Sequence, residues 1–353
     1  MAVRTLTRRE LNRALLARQL LLERARSPIP RVLERMGGLQ AQYAPAMYIG
    51  LWTRMEGLER DAVTRALERR SVVQGTLMRA TIHLVSTRDY WPFAAGIHKG
   101  QREWWLRVHG RGTDARELSA DARKVRRAMA GKTLGRAELE GVLDKRLGLS
   151  GLALDLVRVP PSGTWDRRRA DLYALAEDWV GPEDVKPEEG IEHLVRRYLQ
   201  GFGPAPANDI AGWAGLNVTA IRPTLERLRL RRFRDEQGKE LIDLPRAPVP
   251  DPDTPAPVRF LPVWDATLLV HARRTGILPE QYRARVFNVK TPNSVNTFLV
   301  DGQVAGTWRY EKGRVKFEPF KRLSKSDAGG AGRGSGAASR VPRVAGGRSA
   351  PHC

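Results

Sequence analysis

One plan recurs three times in the first 245 residues: an amphipathic stretch, a turn carrying Gly or Pro, a second amphipathic stretch, then a β-prone pair. The third copy is the clearest. Apolar spacing predicts helices over 191–199, 207–214 and 218–228, separated by Gly203-Pro204-Ala205-Pro206 and the tight turn Gly215-Leu216-Asn217. Arg231-Arg232-Phe233-Arg234, a turn at Gln237-Gly238 and Leu241-Ile242-Asp243-Leu244 then read as a hairpin. A short helix, a Gly-containing turn, a second helix and a hairpin make a winged helix-turn-helix.

The first copy opens with Leu11, Leu15, Leu16, Leu20 and Leu22 at helical spacing after Thr7, a fitting N-cap. Pro28 and Pro30 punctuate the chain, and a second helix runs from Val32 to Gly37-Gly38. A helix over 61–70 and two strands within 75–86 complete it. The second copy has helices over 118–130 and 137–147, then a strand over 154–159. The expected class is α+β, mainly α: three tandem winged helix-turn-helix units at 1–116, 117–186 and 187–245. A Pro-rich linker, 245–257, leads to a β-rich C-terminal region at 258–323. From 324 to 353 the chain is Gly, Ala, Ser and Arg with few core formers, and composition predicts disorder.

Charge bounds the partners. The 353 residues hold 61 Lys and Arg against 39 Asp and Glu, a net +22. Five cations against Asp327 give the tail +4, leaving +18 on the part expected to fold. Such a surplus attracts polyanions through counterion release. A high-GC genome would also enrich Arg, and charge alone does not separate nucleic acid from an anionic membrane surface. No stretch approaches the ~18 apolar residues of a spanning helix, and the N-terminus lacks a signal-like apolar region. The only cysteine is Cys353, which fits a reducing, cytoplasmic setting without disulfides. Six scattered histidines lack metal-ligand spacing, so no metal and no cofactor are expected. Gly131-Lys132-Thr133 resembles the end of a phosphate-binding loop, but Arg126 stands where the earlier glycine is required.

Several segments carry a more specific likeness. Gly38-Leu39-Gln40-Ala41-Gln42, Met78-Arg79-Ala80-Thr81-Ile82-His83-Leu84 and Gly203-Pro204-Ala205 with Asp209-Ile210-Ala211-Gly212-Trp213 are three of them. Leu261-Pro262-Val263-Trp264-Asp265 and Val300-Asp301-Gly302 with Gly306-Thr307-Trp308 are two more. In order and together, up to about Leu323, they resemble the bacterial winged-helix DNA glycosylases of the AlkZ/YcaQ type. The resemblance implies three winged units arranged as a C around duplex DNA, and hydrolytic removal of N-alkylated purines, including unhooking of interstrand crosslinks. It assigns catalysis to an element of Gln, an apolar residue, then Gln or Asp. Gln40-Ala41-Gln42 matches the Gln–Gln version, with Ala41 smaller than the usual aliphatic residue, and the Gln–Asp members resemble general repair enzymes. Members with two glutamines are associated with self-resistance to alkylating natural products.

The chemistry of glutamine narrows the substrate. Glycosidic hydrolysis passes through an oxocarbenium-like state, usually with carboxylates in attendance. Glutamine takes no proton at neutral pH, but its amide accepts through oxygen and donates through nitrogen. It can orient water and set a fixed dipole beside developing positive charge. That suffices when the leaving group is already cationic, as in an N7- or N3-alkylpurine. The motif has no lysine for a Schiff base, so a monofunctional glycosylase is expected. Residues two apart face the same way only on an extended segment, so Gln40 and Gln42 converge only if Gly37-Gly38 breaks the helix before them. Otherwise they are two surface glutamines at a helix end.

Other candidate DNA contacts carry competing structural roles. Arg79 and His83 border the active cleft in the resemblance, while His83 fits a hydrogen-bonded core position equally well. Trp104 and Trp105 suit base stacking or a duplex wedge, or the core. Arg231, Arg232 and Arg234 suit phosphate contacts, or a solvated charged strand. A non-catalytic DNA-binding regulator is the rival class. Regulators with this motif pair as dimers on two half-sites, whereas three units in one chain without a zipper favour a monomeric clamp on nucleoid DNA.

Overall fold

The computed structural model describes residues 3–109, 115–144, 154–269, 276–288, 293–311 and 314–338. In chain order the first part holds β1 (Thr5–Leu6), α1 (Arg8–Arg18), α2 (Ile29–Met36), β2 (Leu39–Gln40), α3 (Ala44–Arg54), α4 (Arg60–Glu68), β3 (Val72–Thr76), β4 (Ile82–Ser86) and α5 (Thr87–His109). There follow α6 (Ala115–Met129), β5 (Leu134–Gly135), α7 (Arg136–Leu143), β6 (Leu156–Arg158), β7 (Leu172–Leu175) and α8 (Ala176–Trp179). The third part holds α9 (Pro187–Phe202), α10 (Ala207–Ala214), α11 (Val218–Arg227), β8 (Arg231–Asp235) and β9 (Glu240–Asp243). Last come β10 (Arg259–Leu261), α12 (Ala266–Leu269), α13 (Arg283–Val286), β11 (Phe287–Asn288), β12 (Asn293–Ser294), β13 (Thr297–Val300), β14 (Gln303–Glu311), β15 (Arg314–Pro319) and α14 (Lys325–Ala338). The class is α+β.

Local signals explain most boundaries. Thr7 closes a capping box on α1: its Oγ1 accepts the Glu10 N–H at 3.1 Å, and Glu10 Oε2 accepts the Thr7 N–H at 2.8 Å. Gly37 ends α2 in the left-handed region (φ 80°), and Gly215 ends α10 the same way (φ 77°). The expected helix over 137–147 stops at Leu143, and residues 145–147 lie outside those described.

A six-stranded sheet, β2-β4-β3-β6-β7-β5, runs across the expected division near 116. Its strands come from both the first and the second predicted units. At the other end of the chain, β1 pairs in parallel with β8, making β8 the central strand of a three-stranded sheet with β9. The arginine-bearing strand β8 is therefore not an edge in this structure.

The main core lies between α5 and α9. Tyr90, Phe93 and Ile97 pack with Leu194, Val195, Tyr198 and Trp213. The two helices touch backbone to backbone at Gly96 and Gly190. A Cβ on Gly190 would lie 2.4 Å from the Gly96 nitrogen, so no larger residue fits this crossing. The C-terminal sheet, β10-β13-β14-β15, docks onto the first part through an apolar contact of Leu16 and Leu21 with Leu261, Leu299 and Val304, and through charge. Asp265 receives both terminal nitrogens of Arg54 at 2.9 Å, with both side chains fully buried. Asp301 binds Arg9 at 2.8 Å and also Arg13. The Leu261–Asp265 and Val300–Gly302 motifs thus act as joints between the β-rich region and α1 and α3.

The expectation of disorder from residue 324 is corrected over 324–338. Ser324 Oγ accepts the Asp327 N–H at 3.1 Å and caps α14. Gly330 sits where an added Cβ would meet Val258 at 3.2 Å, so a helix of small residues lies close against the segment before β10. Five glycines in these 14 residues disfavour a helix, so composition gives no sign of α14; the Ser324 cap is a local signal for it. Residues 339–353 lie outside those described.

Candidate active site

Gly37 and Gly38 form the break the site requires. Both have left-handed backbones (φ 80° and 82°), and a Cβ on Gly38 would come within 2.9 Å of Val85 Cγ1. The chain therefore leaves α2 and enters β2 at once. Burial then alternates: Leu39 buried, Gln40 half-buried, Ala41 buried, Gln42 exposed. That period of two marks an extended segment and sets Gln40 and Gln42 on one face. Leu39 and Ala41 face the opposite side, in a core with Leu33, Met47, Leu51 and Leu84. The small Ala41 acts as the anchor between the two glutamines.

The neighbouring strand fixes the pair. Gln40 sits directly opposite His83 in the antiparallel β2–β4 ladder. One step on, Ala41 N–H donates to the Ile82 carbonyl at 2.7 Å. The Ile82 N–H is taken by Gln42 Oε1 at 3.1 Å, so the side chain finishes the ladder where the backbone strand ends. With its oxygen engaged, Gln42 presents its amide nitrogen as donor. Among the described residues the Gln40 amide makes no hydrogen bond, which leaves its carbonyl oxygen free to accept.

His83 lies beneath, not at the surface. It is buried, its Nδ1 is 3.0 Å from the Thr81 carbonyl, and burial followed by the nearby Arg79 charge pushes its pKa down to about 3. His83 is therefore corrected from a DNA contact to a neutral packing residue under Gln40. Arg79 is half-buried, with a left-handed backbone (φ 56°), and donates to the Trp213 carbonyl at 2.5 Å. It ties the β3–β4 turn to α10, and burial lowers its pKa.

The remaining candidates stand apart from the glutamines in the chain. Trp104 is 39% exposed, but Trp105 is 3% exposed and belongs to the core, which corrects its assignment as a DNA contact. On β8, Arg232 and Arg234 are exposed, while Arg231 is half-buried with its guanidinium 4.7 Å from the Phe233 ring centre. Arg232 pairs with Glu240 across the hairpin.

Two residues beside the motif were missed in the sequence. Tyr43, 37% exposed, follows Gln42 directly, and Arg168 Nη1 donates to its hydroxyl at 3.3 Å. Arg168 is the middle of Arg167-Arg168-Arg169 on the loop between β6 and β7. That arginine run was the available signal; the fold alone brings it next to residue 43. Among the described residues no three of His, Cys, Asp and Glu are grouped to hold a metal, and no helix is long and apolar enough to cross a membrane.

The fold and site define an α+β protein with a paired-glutamine edge strand. A family model described as DNA glycosylase AlkZ-like matches residues 33–340. The chain belongs to the AlkZ-like DNA glycosylase family, and the match runs past Leu323 through α14. It is 25% identical over 246 residues to a Streptomyces sahachiroi protein named interstrand DNA cross-link repair glycosylase. That alignment spans 64% of each chain, a little under two thirds of the curated relative. The fold is that of the solved Streptomyces sahachiroi DNA glycosylase AlkZ: TM-score 0.79, 21% identity, covering 96% of this chain and 99% of that one.

Proposed function

We propose that this chain is a monofunctional DNA glycosylase that hydrolyses the N-glycosidic bond of cationic N7- or N3-alkylpurines in duplex DNA. The carrying observation is the shared face of Gln40 and Gln42, held by the buried Ala41 and by the Gln42–Ile82 hydrogen bond. We assign the two amides different work. Gln40 Oε1 accepts a hydrogen bond from the attacking water and sets its negative dipole end toward the sugar cation. Gln42, its oxygen already engaged, donates from nitrogen to the same water. The positively charged base departs with the bonding pair and becomes neutral, so no group must protonate it. The proton shed by water passes to solvent, because neither amide retains it.

The clamp reading belongs to the same proposal. Three winged units at 1–116, 117–186 and 187–245, acting as a monomer, hold the duplex, with 258–323 as the β-rich buttress. Arg79, Trp104, Arg231, Arg232 and Arg234 are proposed DNA contacts, joined by Tyr43 and Arg168 beside the glutamines. The name of the curated relative extends the proposed substrates to interstrand crosslinks, in repair or self-resistance in the bacterial cytoplasm. Base release from a panel of methylated, bulky-alkylated and crosslinked duplexes tests this reading. Release of 7-methylguanine without strand cleavage is expected. A protein that instead binds one palindromic sequence tightly and releases no base is a regulator.

A further inference from the structure

A second basic site lies outside the glutamine motif. A cleft of about 500 Å³ is lined by Arg18, Arg35, Arg196, Gln200, Arg246 and the apolar 244–248 segment around it. It brings together α2, α9 and the chain leaving β9. No acidic side chain lines it.

Its floor is built. Arg18 is buried and donates from Nη1 to the Leu199 carbonyl and to Asp243 Oδ1, both at 2.8 Å. From Nη2 it donates to Asp243 Oδ2 at 2.8 Å and to the Pro248 carbonyl at 2.9 Å. These bonds pin both ends of the 244–248 segment against α9. Arg18 Nε remains a buried donor without a protein partner among the described residues. Gln200 is oriented too: its Oε1 accepts from Arg197 at 3.1 Å, leaving its amide nitrogen as donor.

The rim carries charge with no use inside the fold. Arg35 and Arg246 are exposed and make no ion pair or hydrogen bond among the described residues. Arg196 shares Glu192 with Arg227. Four guanidinium groups around one cavity, those of Arg35 and Arg246 unpaired among the described residues, and an amide donor match a group with several anionic oxygens.

We propose that this cleft binds a phosphate group, with Arg35, Arg246 and Arg196 as the charged ligands, Gln200 as a neutral donor and Arg18 as the positioning residue. The phosphate is a backbone phosphodiester of the bound duplex or the phosphate of a free small molecule. The duplex form of the proposal rests on the DNA reading above.

The test uses the full chain and the variant Arg35→Ala/Arg246→Ala. Neither residue has a protein partner, so the variant should melt at the wild-type temperature in phosphate-free buffer. Two probes are compared: a short undamaged duplex by fluorescence anisotropy across a salt series, and inorganic phosphate by thermal shift. For a duplex phosphate, affinity falls roughly tenfold and the salt slope drops by about one to two. For a free phosphate compound, duplex binding is unchanged, while stabilisation of the wild type by phosphate disappears in the variant. A variant equal to wild type with both probes overturns the proposal. Base release separates the two readings: wild type that releases no base, with a variant still weakened for duplex, retires the glycosylase and keeps the phosphate cleft.

Discussion

Gln42 completes a β-ladder with its side chain: its Oε1 accepts the Ile82 N–H at 3.1 Å, just past the Gln40–His83 pair. The bond ties a surface amide to a strand whose other residues are buried. It also makes the two glutamines chemically unequal, one offering oxygen and the other nitrogen.

That inequality predicts an order of damage. In Gln42→Glu the carboxylate still accepts from Ile82 but no longer donates to water. In Gln40→Glu the acceptor survives. Single-turnover release of 7-methylguanine should therefore be lower for Gln42→Glu than for Gln40→Glu, by about a hundredfold, the order for one lost oriented donor. The reverse order would contradict the assigned roles.

The glycine pair predicts an unequal stability cost. An alanine in the left-handed region costs roughly 1–2 kcal/mol. Gly37→Ala meets nothing closer than 3.5 Å and should cost about that much. Gly38→Ala adds a 2.9 Å contact with Val85 and a 3.2 Å contact with the Leu84 carbonyl. It should be the less stable of the two in urea unfolding, and should also lose base release because β2 shifts.

His83 gives a pH signature. Its folded-state pKa is depressed to about 3 from an ordinary 6.5, by burial first and the Arg79 charge second. Between those values the unfolded chain binds the proton and the folded chain does not. The contribution is intact above about 6.5 and is lost as pH falls toward 3, by about 1.4 kcal/mol per pH unit in that window. Comparing unfolding at pH 7 and pH 5, His83→Asn, which keeps a donor for the Thr81 carbonyl, should lose less stability than wild type. Equal losses would mean that His83 is not held neutral.

The Arg54–Asp265 pair predicts coupling between the ends of the chain. Removing one member leaves a buried charge unpaired, at a cost of about 3–5 kcal/mol. Asp265→Ala should lower the melting temperature of the whole protein, far more than loss of the exposed Arg26–Glu56 pair.

What was legible in the sequence followed local rules. Helices α10 and α11, the β8–β9 hairpin and the Thr7 cap are written in short-range spacing and capping residues. So was the break at Gly37-Gly38, and with it the shared face of Gln40 and Gln42. Burial was not legible, because it depends on distant segments. His83 and Trp105 have the chemistry of DNA contacts, yet the packing of α5 and the β3–β4 turn encloses them. Long-range pairing was hidden for the same reason: nothing near Thr5 announces that it will lie beside Arg234, or near Tyr43 that Arg168 will reach it. The helix at 325–338 escaped because its five glycines disfavour a helix and it carries no apolar stripe.

The central claim is that Gln40 and Gln42 perform the chemistry and do not hold the DNA. Single-turnover release of 7-methylguanine from methylated duplex, measured with duplex affinity on the same preparations, tests it directly. The Gln40→Ala/Gln42→Ala variant should bind the duplex as wild type does and release base at least about a hundredfold more slowly, the scale expected for lost transition-state dipoles. Wild-type release by that variant would contradict the account.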